Sequence, residues 1–251
     1  MASDGTEGEG RVLGVLGGMG PLATADFLGK LIEAVPAAVD QEHVPAIVVS
    51  DPRIPDRYQS ILEGREAEVD VALRGSLARL EAAGAGAFAI PCNTAHVWAA
   101  ALARDSRLPL IHIADAVMDA LPADARGSSI MVLGTPPVAR APFYRDRLVE
   151  AGLRYVTLPD SESERALMPA IRCVKRGEIA EAERFMRSVV GYCLDAGVDI
   201  AVLACTELPI ALGTHRPAGI AFIDTNRTLA EACVRWWRTG ALPSGSRAES
   251  W

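Results

Sequence analysis

Two cysteines stand in matching surroundings. Residues 83–94 read Ala-Gly-Ala-Gly-Ala-Phe-Ala-Ile-Pro-Cys-Asn-Thr, and residues 196–207 read Ala-Gly-Val-Asp-Ile-Ala-Val-Leu-Ala-Cys-Thr-Glu. Both the Ala-Gly openings, at 83 and 196, and the cysteines, at 92 and 205, lie 113 positions apart. Each thiol follows an apolar run with the character of a buried parallel strand and precedes a polar turn where a helix can begin. A helix N-terminus favours the thiolate, which is the form that takes protons. Two such thiols on opposite sides of one small molecule could remove a proton from one face of an acidic carbon and return one to the other, exchanging roles in reverse.

The neighbours of the pair fit that chemistry. Asn93, Thr94 and Thr206 can offer donors to a substrate carboxylate, and each also suits a helix cap. His96, four residues past Cys92, would share its helical face and could orient the site, and reads first as a hydrogen-bonded structural histidine. No further ligands cluster about Cys92 and His96, so no metal site is expected there. Cys173, Cys193 and Cys233 lie among apolar residues in helical stretches and read as small core hydrophobes.

The elements that must position these groups alternate along the chain. Strand candidates at 12–16, 46–50, 87–91, 110–113, 130–134, 154–158, 200–204 and 220–223 are separated by Ala/Leu/Arg/Glu-rich segments of helical period, which predicts an α/β fold with parallel sheets flanked by helices. The spacing predicts helices over 67–83, with Val69, Leu73, Leu77 and Leu80 on one stripe, and over 179–196, with Ala182, Phe185, Met186, Val189 and Val190 on another. Each leads into a cysteine strand. A last helix is expected over 225–237.

Several strands repeat by halves: Val15-Leu16-Gly17 resembles Val132-Leu133-Gly134, and Ile113-Ala114-Asp115 is matched with Ile223-Asp224. The reading is two similar α/β domains, pseudo-twofold related, with the active site in the cleft between them. The first takes 11–108 plus 219–240 and the second 109–218. Residues 1–10 and 241–251 are read as disordered tails.

Composition narrows the partners. A formal charge of −7, a pI near 5.2 and no clustered Lys and Arg argue against nucleic acid. No apolar run spans a bilayer, and Met1 to Gly10 is acidic and Gly-rich rather than basic-then-apolar, so no membrane association and a cytoplasmic location are expected. Five cysteines in a chain of 251 residues do not form a disulfide framework. The turn at 17–23 contains Gly-x-Gly-x-x-Ala, with Asp51 as a conceivable ribose-binding acid. Asp51 is followed by Pro-Arg-Ile-Pro rather than an ordinary turn into a helix, so the glycines are read as a tight strand-to-helix turn started by Pro21.

Gly-Gly-Met-Gly-Pro-Leu-Ala-Thr-Ala (17–25), Asp-Gln-Glu-His (40–43), Ile-Pro-Asp-Arg (54–57), Pro-Cys-Asn-Thr-Ala-His (91–96) and Cys-Thr-Glu (205–207) together resemble the aspartate/glutamate racemase family, most closely its aspartate racemase branch. The resemblance spans nearly the whole chain. It implies a racemase of an amino acid that uses no pyridoxal phosphate or other cofactor, a homodimer, and a last helix that returns to the first domain. It assigns Cys92 and Cys205 as the acid/base thiols and Arg57 and Lys175 as basic residues near substrate. Met19, Asn93, Thr94, Thr135, Thr206 and Glu207 complete the implied substrate-binding set. Fixed positive charge at the substrate carboxylate would stabilise the carbanion forming beside it. The competing readings are that Arg57 pairs with Asp51 or Asp56 in a loop, and that Lys175 is a solvated helix lysine.

Glu207 stands where glutamate racemases typically carry His, which favours the aspartate side. One departure concerns the substrate. After Leu133-Gly134-Thr135 the family pattern supplies further Thr and Gly, whereas this chain has Pro136-Pro137-Val138, which removes two N–H donors and a hydroxyl. Aspartate is the default substrate, with glutamate or a less acidic amino acid open. Two other readings are a related isomerase or decarboxylase of a dicarboxylic acid, and a non-catalytic small-molecule binding protein on the same scaffold.

Overall fold

The computed structural model describes residues 10–244 and contains all eight expected strands. They form two separate four-stranded sheets, every pairing parallel. The tails read as disordered at 1–9 and 245–251 lie outside the described residues. Residues 241–244, read as part of a tail, instead pack: Pro243 is buried and Leu242 lies against the first unit's core.

In the first unit the chain runs β1 (Leu13–Gly17), α1 (Pro21–Glu33), β2 (Ala46–Ser50), α2 (Arg57–Leu62), α3 (Glu66–Ala82), β3 (Ala87–Ala89), α4 (Ala99–Asp105), β4 (Leu110–Ile111) and α5 (Ile113–Asp119), with sheet order β2-β1-β3-β4. The second follows as β5 (Ser129–Gly134), α6 (Pro136–Arg140), α7 (Pro142–Glu150), β6 (Arg154–Val156), α8 (Asp160–Glu162), a π-helical turn Ser163–Leu167, α9 (Met168–Lys175), α10 (Ile179–Asp195), β7 (Ile200–Ala204), α11 (Leu208–Leu212) and β8 (Ala221–Asp224), with order β6-β5-β7-β8. The same order recurs, so the duplication seen around the cysteines extends to topology.

Burial follows position in the sheet. The inner strands β1, β5 and β7 are buried at every residue, because helices cover both faces, and they read as unbroken apolar runs. The edge strand β2 alternates exposed with partly buried residues. Helix α3 buries Val69, Leu73, Leu77 and Leu80 as predicted, and α10 buries Ala182, Met186, Val189, Val190 and Cys193, while Phe185 is only partly buried. Each fully buried leucine, such as Leu73 or Leu80, contributes about 1.5–3 kcal/mol over exposure.

The expected domain boundaries shift. The two compact units divide at Asp119/Ala120 and at Thr225/Asn226, not at 108/109 and 218/219. Strand β4 hydrogen-bonds to β3 and so stays in the first sheet, and β8 pairs with β7 in the second. Only the following helix, α12 (Thr225–Thr239), joins the first unit's core, through Leu229, Ala230, Cys233, Trp236 and Trp237. Arg11 holds the end of α12 by donating to the Trp237 carbonyl at 2.8 Å, where a cation suits the helix C-terminus.

Register also corrects one repeat. Ala89, three residues before Cys92, lies opposite Ile111; Val202, three before Cys205, lies opposite Ile223. The true counterparts are therefore Ile111 and Ile223. Ile113-Ala114-Asp115 opens α5 instead.

Candidate active site

In both sheets the chain leaves the first strand to one side and returns to the other, so strand order reverses between β1 and β3 and between β5 and β7. Parallel α/β sheets bind ligands at the carboxyl ends of the strands beside such a reversal. The loop after β1 carries Met19 and the segment after β3 carries Cys92; the loop after β5 carries Thr135 and Cys205 directly follows β7. The two thiols thus occupy the same topological position in two sheets.

In the first unit, Cys92 is 6% exposed and sits in one apolar cluster with Met19, Ile54, Ala95 and Trp98. A 3-10 turn, Thr94–Trp98, follows it and packs against α2, which brings Arg57 to the same region. Asn93, Thr94 and His96 are all buried. His96 Nδ1 lies 2.9 Å from the Cys92 carbonyl, and its Nε2 accepts the Ile113 N–H at 3.3 Å. That pair of bonds fixes the tautomer with the proton on Nδ1, donating to Cys92. His96 therefore positions the cysteine turn through its backbone.

Arg57 pairs with neither Asp51 nor Asp56. Asp51 is taken by Arg53 and Arg79, and Asp56 caps α2 by accepting the Gln59 N–H at 2.8 Å. Arg57, 9% exposed, donates to the carbonyls of Met19 (3.0 Å), Pro55 (3.0 Å) and Ile54 (3.2 Å), and its buried Nε has no partner. Among the described residues no carboxylate neutralises it. A buried, unpaired guanidinium is costly unless an anion completes it, and the planar fork suits a carboxylate. Met19 serves here through its carbonyl; its side chain is core.

Gly18 makes this loop possible. Its φ is +91°, and a Cβ there would lie 2.3 Å from the Asp51 nitrogen. The close approach of β2's end to the loop excludes any side chain. The Gly18 N–H is accepted by Thr24 Oγ1 at 2.9 Å, and α1 starts at Pro21. With Asp51 engaged by arginines, the acid expected of a dinucleotide site is occupied.

In the second unit Cys205 lies beside a buried carboxylate. Its Sγ donates to Glu207 Oε2 at 3.0 Å, and the Thr206 hydroxyl donates to the same oxygen at 3.2 Å. Lys175, the last residue of α9, places Nζ 4.0 Å from Glu207 Oε1. Burial, and then the Glu207 charge, push the Cys205 thiol well above its ordinary value, while Lys175 pulls it part of the way back. The expectation of a helix-lowered thiol therefore fails at Cys205: α11 is only five residues long, and the carboxylate is closer than its dipole. Cys205 is held as the protonated thiol. Lys175 is exposed, its side chain 46% accessible, which fits the reading of a solvated helix lysine alongside its approach to Glu207.

Thr135 is buried at the end of β5, N-terminal to α6. It is brought beside Cys205 because Gly134 pairs with Ala204; a Cβ on Gly134 would meet the Ala204 carbonyl at 2.8 Å. Pro136 and Pro137 occupy the first two positions of α6, so the first free N–H there belongs to Val138.

Cys173, Cys193 and Cys233 are core residues, as expected; burial raises Cys193 to about 12. One residue the sequence reading missed is His112, 4% exposed, whose ring meets His96 edge-on at 4.6 Å and whose Nδ1 accepts the Ala114 N–H at 3.1 Å. The available signal was a polar residue ending the apolar run Leu110-Ile111, as Cys92 ends its own. Among the described residues no group of three or more His, Cys, Asp or Glu is arranged to hold a metal, and no helix is long and apolar enough to cross a membrane.

Known proteins resemble this chain in sequence and fold. The chain is 26% identical over 229 residues to the broad specificity amino-acid racemase RacX of Bacillus subtilis, covering 89% of this chain and 96% of that one. Its fold matches the aspartate racemase of Picrophilus torridus with a TM-score of 0.79 at 28% identity, covering 91% of this chain and 94% of that one. An aspartate racemase homologue from Pyrococcus horikoshii shares the fold with a TM-score of 0.70 at 24% identity, over 91% and 99% of the two chains. The family model for Asp/Glu/hydantoin racemases matches residues 16–233, which takes in both cysteines, Arg57, Lys175 and both sheets. With its duplicated sheets and paired thiols, the chain belongs to the Asp/Glu/hydantoin racemase family.

Proposed function

We propose that this racemase, and hence isomerase, interconverts the L- and D-forms of a free amino acid without a cofactor, by proton transfer between Cys92 and Cys205. The observation that carries this is the equivalence of the thiols, each at the carboxyl end of the third strand of a sheet where strand order reverses. In one direction the Cys92 thiolate takes the α-proton and the Cys205 S–H supplies a proton to the opposite face. The bond between carbon and the first hydrogen breaks, its electrons rest briefly on the α-carbon and carboxylate, and the new bond forms with the Cys205 hydrogen. Cys92 ends protonated and Cys205 ends as thiolate, ready for the reverse reaction.

Arg57 is the proposed partner of the α-carboxylate, since its buried guanidinium lacks an anion and an electrostatic clamp there lowers the barrier to the carbanion. Asn93 and Thr94 beside Cys92, and Thr135 and Thr206 beside Cys205, are the proposed neutral donors. Lys175 and Glu207 set the charge at Cys205. Aspartate is the default substrate, supported by the likeness to the Picrophilus enzyme. Pro136 and Pro137 supply no N–H at the loop beside Thr135, and with the broad-specificity relative this favours turnover of less acidic amino acids as well.

Chiral chromatography of racemisation by wild type, Cys92→Ala and Cys205→Ala, across a panel of amino acids and after dialysis free of pyridoxal phosphate, tests the proposal. Either alanine variant is expected to lose more than ~10³-fold in rate. Wild-type rates in either one would sink the two-thiol mechanism. A cytoplasmic homodimer is the proposed assembly, and light scattering on the eluted protein checks its size.

A further inference from the structure

Behind Thr135 lies a cavity of about 320 Å³, within the size range of small-molecule sites. Gly134 and Pro136 line it, whereas Thr135 between them does not. The Thr135 backbone is extended, with φ −60° and ψ 152°, so alternate residues face opposite ways and the cavity is on the side of the loop away from Thr135. Val132, Ala139, Leu158 and Leu167 supply apolar walls, and the Arg140–Asp160 ion pair lies at the rim.

Ser163 supplies the polar feature. It is 7% exposed, lines the cavity, and its hydroxyl enters none of the hydrogen bonds of the described residues. That hydroxyl stays open to solvent, and a ligand oxygen in the cavity would take the place of water on it. Ser163 also opens the π-helical turn, an uncommon geometry that recurs at functional sites.

From these features we infer a second binding site, for a small uncharged molecule with an apolar body and one hydrogen-bonding oxygen, acting as an effector of the site at Cys205. The occupant would touch two elements that carry site residues. One is the start of α6, adjoining Thr135; the other is the π turn, which runs without a break into α9 and ends at Lys175. A ligand that favours one geometry of this turn would rotate α9 and change the approach of Lys175 to Glu207. The binding claim stands apart from the racemase reading, whereas the effector claim rests on it.

Benzyl alcohol is a suitable probe. Titrated into the methyl-labelled full chain, it should shift the methyl resonances of Val132, Leu158 and Leu167 saturably, with a dissociation constant of about 1 mM for so small a ligand. Ser163→Ala should weaken binding about 2–10-fold, the loss of one neutral hydrogen bond. Ala139→Leu, which narrows the cavity, should abolish the shifts, with circular dichroism confirming that both variants fold. Absence of saturable shifts, or full shifts in Ala139→Leu, would overturn the site. This readout needs no catalysis, so its failure is separate from failure of the racemase reading. Saturable shifts with unchanged racemisation at saturating benzyl alcohol would overturn the effector role and leave the site as binding alone.

Discussion

Replacing Glu207 with Gln keeps the shape of the Cys205 site and removes its negative charge. The Glu207 oxygen is 3.0 Å from Cys205 Sγ, and at an effective dielectric of 20 two unit charges at that distance repel by about 5.5 kcal/mol. Lys175, 4.0 Å from the other oxygen and with a side chain 46% exposed, cancels part of it, so Glu207→Gln should still lower the Cys205 pKa. In the direction where Cys205 donates, loss of its proton forms the alkaline limb of the kcat/KM profile. That limb should move to lower pH in Glu207→Gln and stay in place in Glu207→Asp. Because the two enantiomers have equal free energy, kcat/KM must match in the two directions, so the same displaced alkaline limb should appear from either enantiomer. Initial rates from each enantiomer of the best substrate, followed by α-proton exchange in deuterated water, measure both limbs. Limbs that coincide with wild type within 0.3 unit, on the order of RT per group, would refute the carboxylate's control of Cys205.

Arg57→Met should lower kcat/KM about 10²–10³-fold, while the thermal midpoint stays level or rises, because the variant removes a buried cation that no carboxylate neutralises. A collapse of stability instead would make Arg57 a structural residue. Cys193 bears on alkaline stability. Burial raises its folded pKa from 9.0 to about 12, so both states keep the proton below pH 9, and above it only the unfolded state releases the proton. Stability should therefore fall with pH by about 1.4 kcal/mol per unit between 9 and 12. Urea unfolding should show the gap between wild type and Cys193→Ala narrowing by about 2 kcal/mol from pH 8 to pH 10.5; a constant gap counts against the buried thiol. Gly18→Ala should cost about 2–4 kcal/mol in the same assay, since its Cβ would overlap the Asp51 backbone at positive φ.

Much of this was legible along the chain because burial on both faces leaves a plain trace. Inner strands such as Ile200–Ala204 are short unbroken apolar runs, and helices such as α3 repeat leucines at helical spacing. Where the trace was short, boundaries drifted. Strand β4 is two residues long, so the match through Ile113 slipped into α5, and the domain boundary went with it. Pairing decides which sheet owns a strand, and pairing is not a local property.

The sequence by itself determined the duplicated α/β plan, the equivalent thiols and the family, because these rest on residue type and spacing. Tertiary structure alone decided the electrostatics. Arg57 was expected to be either a loop salt bridge or a substrate contact, and only packing showed Asp51 and Asp56 already occupied, with the guanidinium buried on carbonyls. Cys205 was expected to be acidified by a helix, and only the 3.0 Å approach of Glu207 made it the thiol that keeps its proton. Charge interactions depend on distance and burial, which the order of residues does not contain.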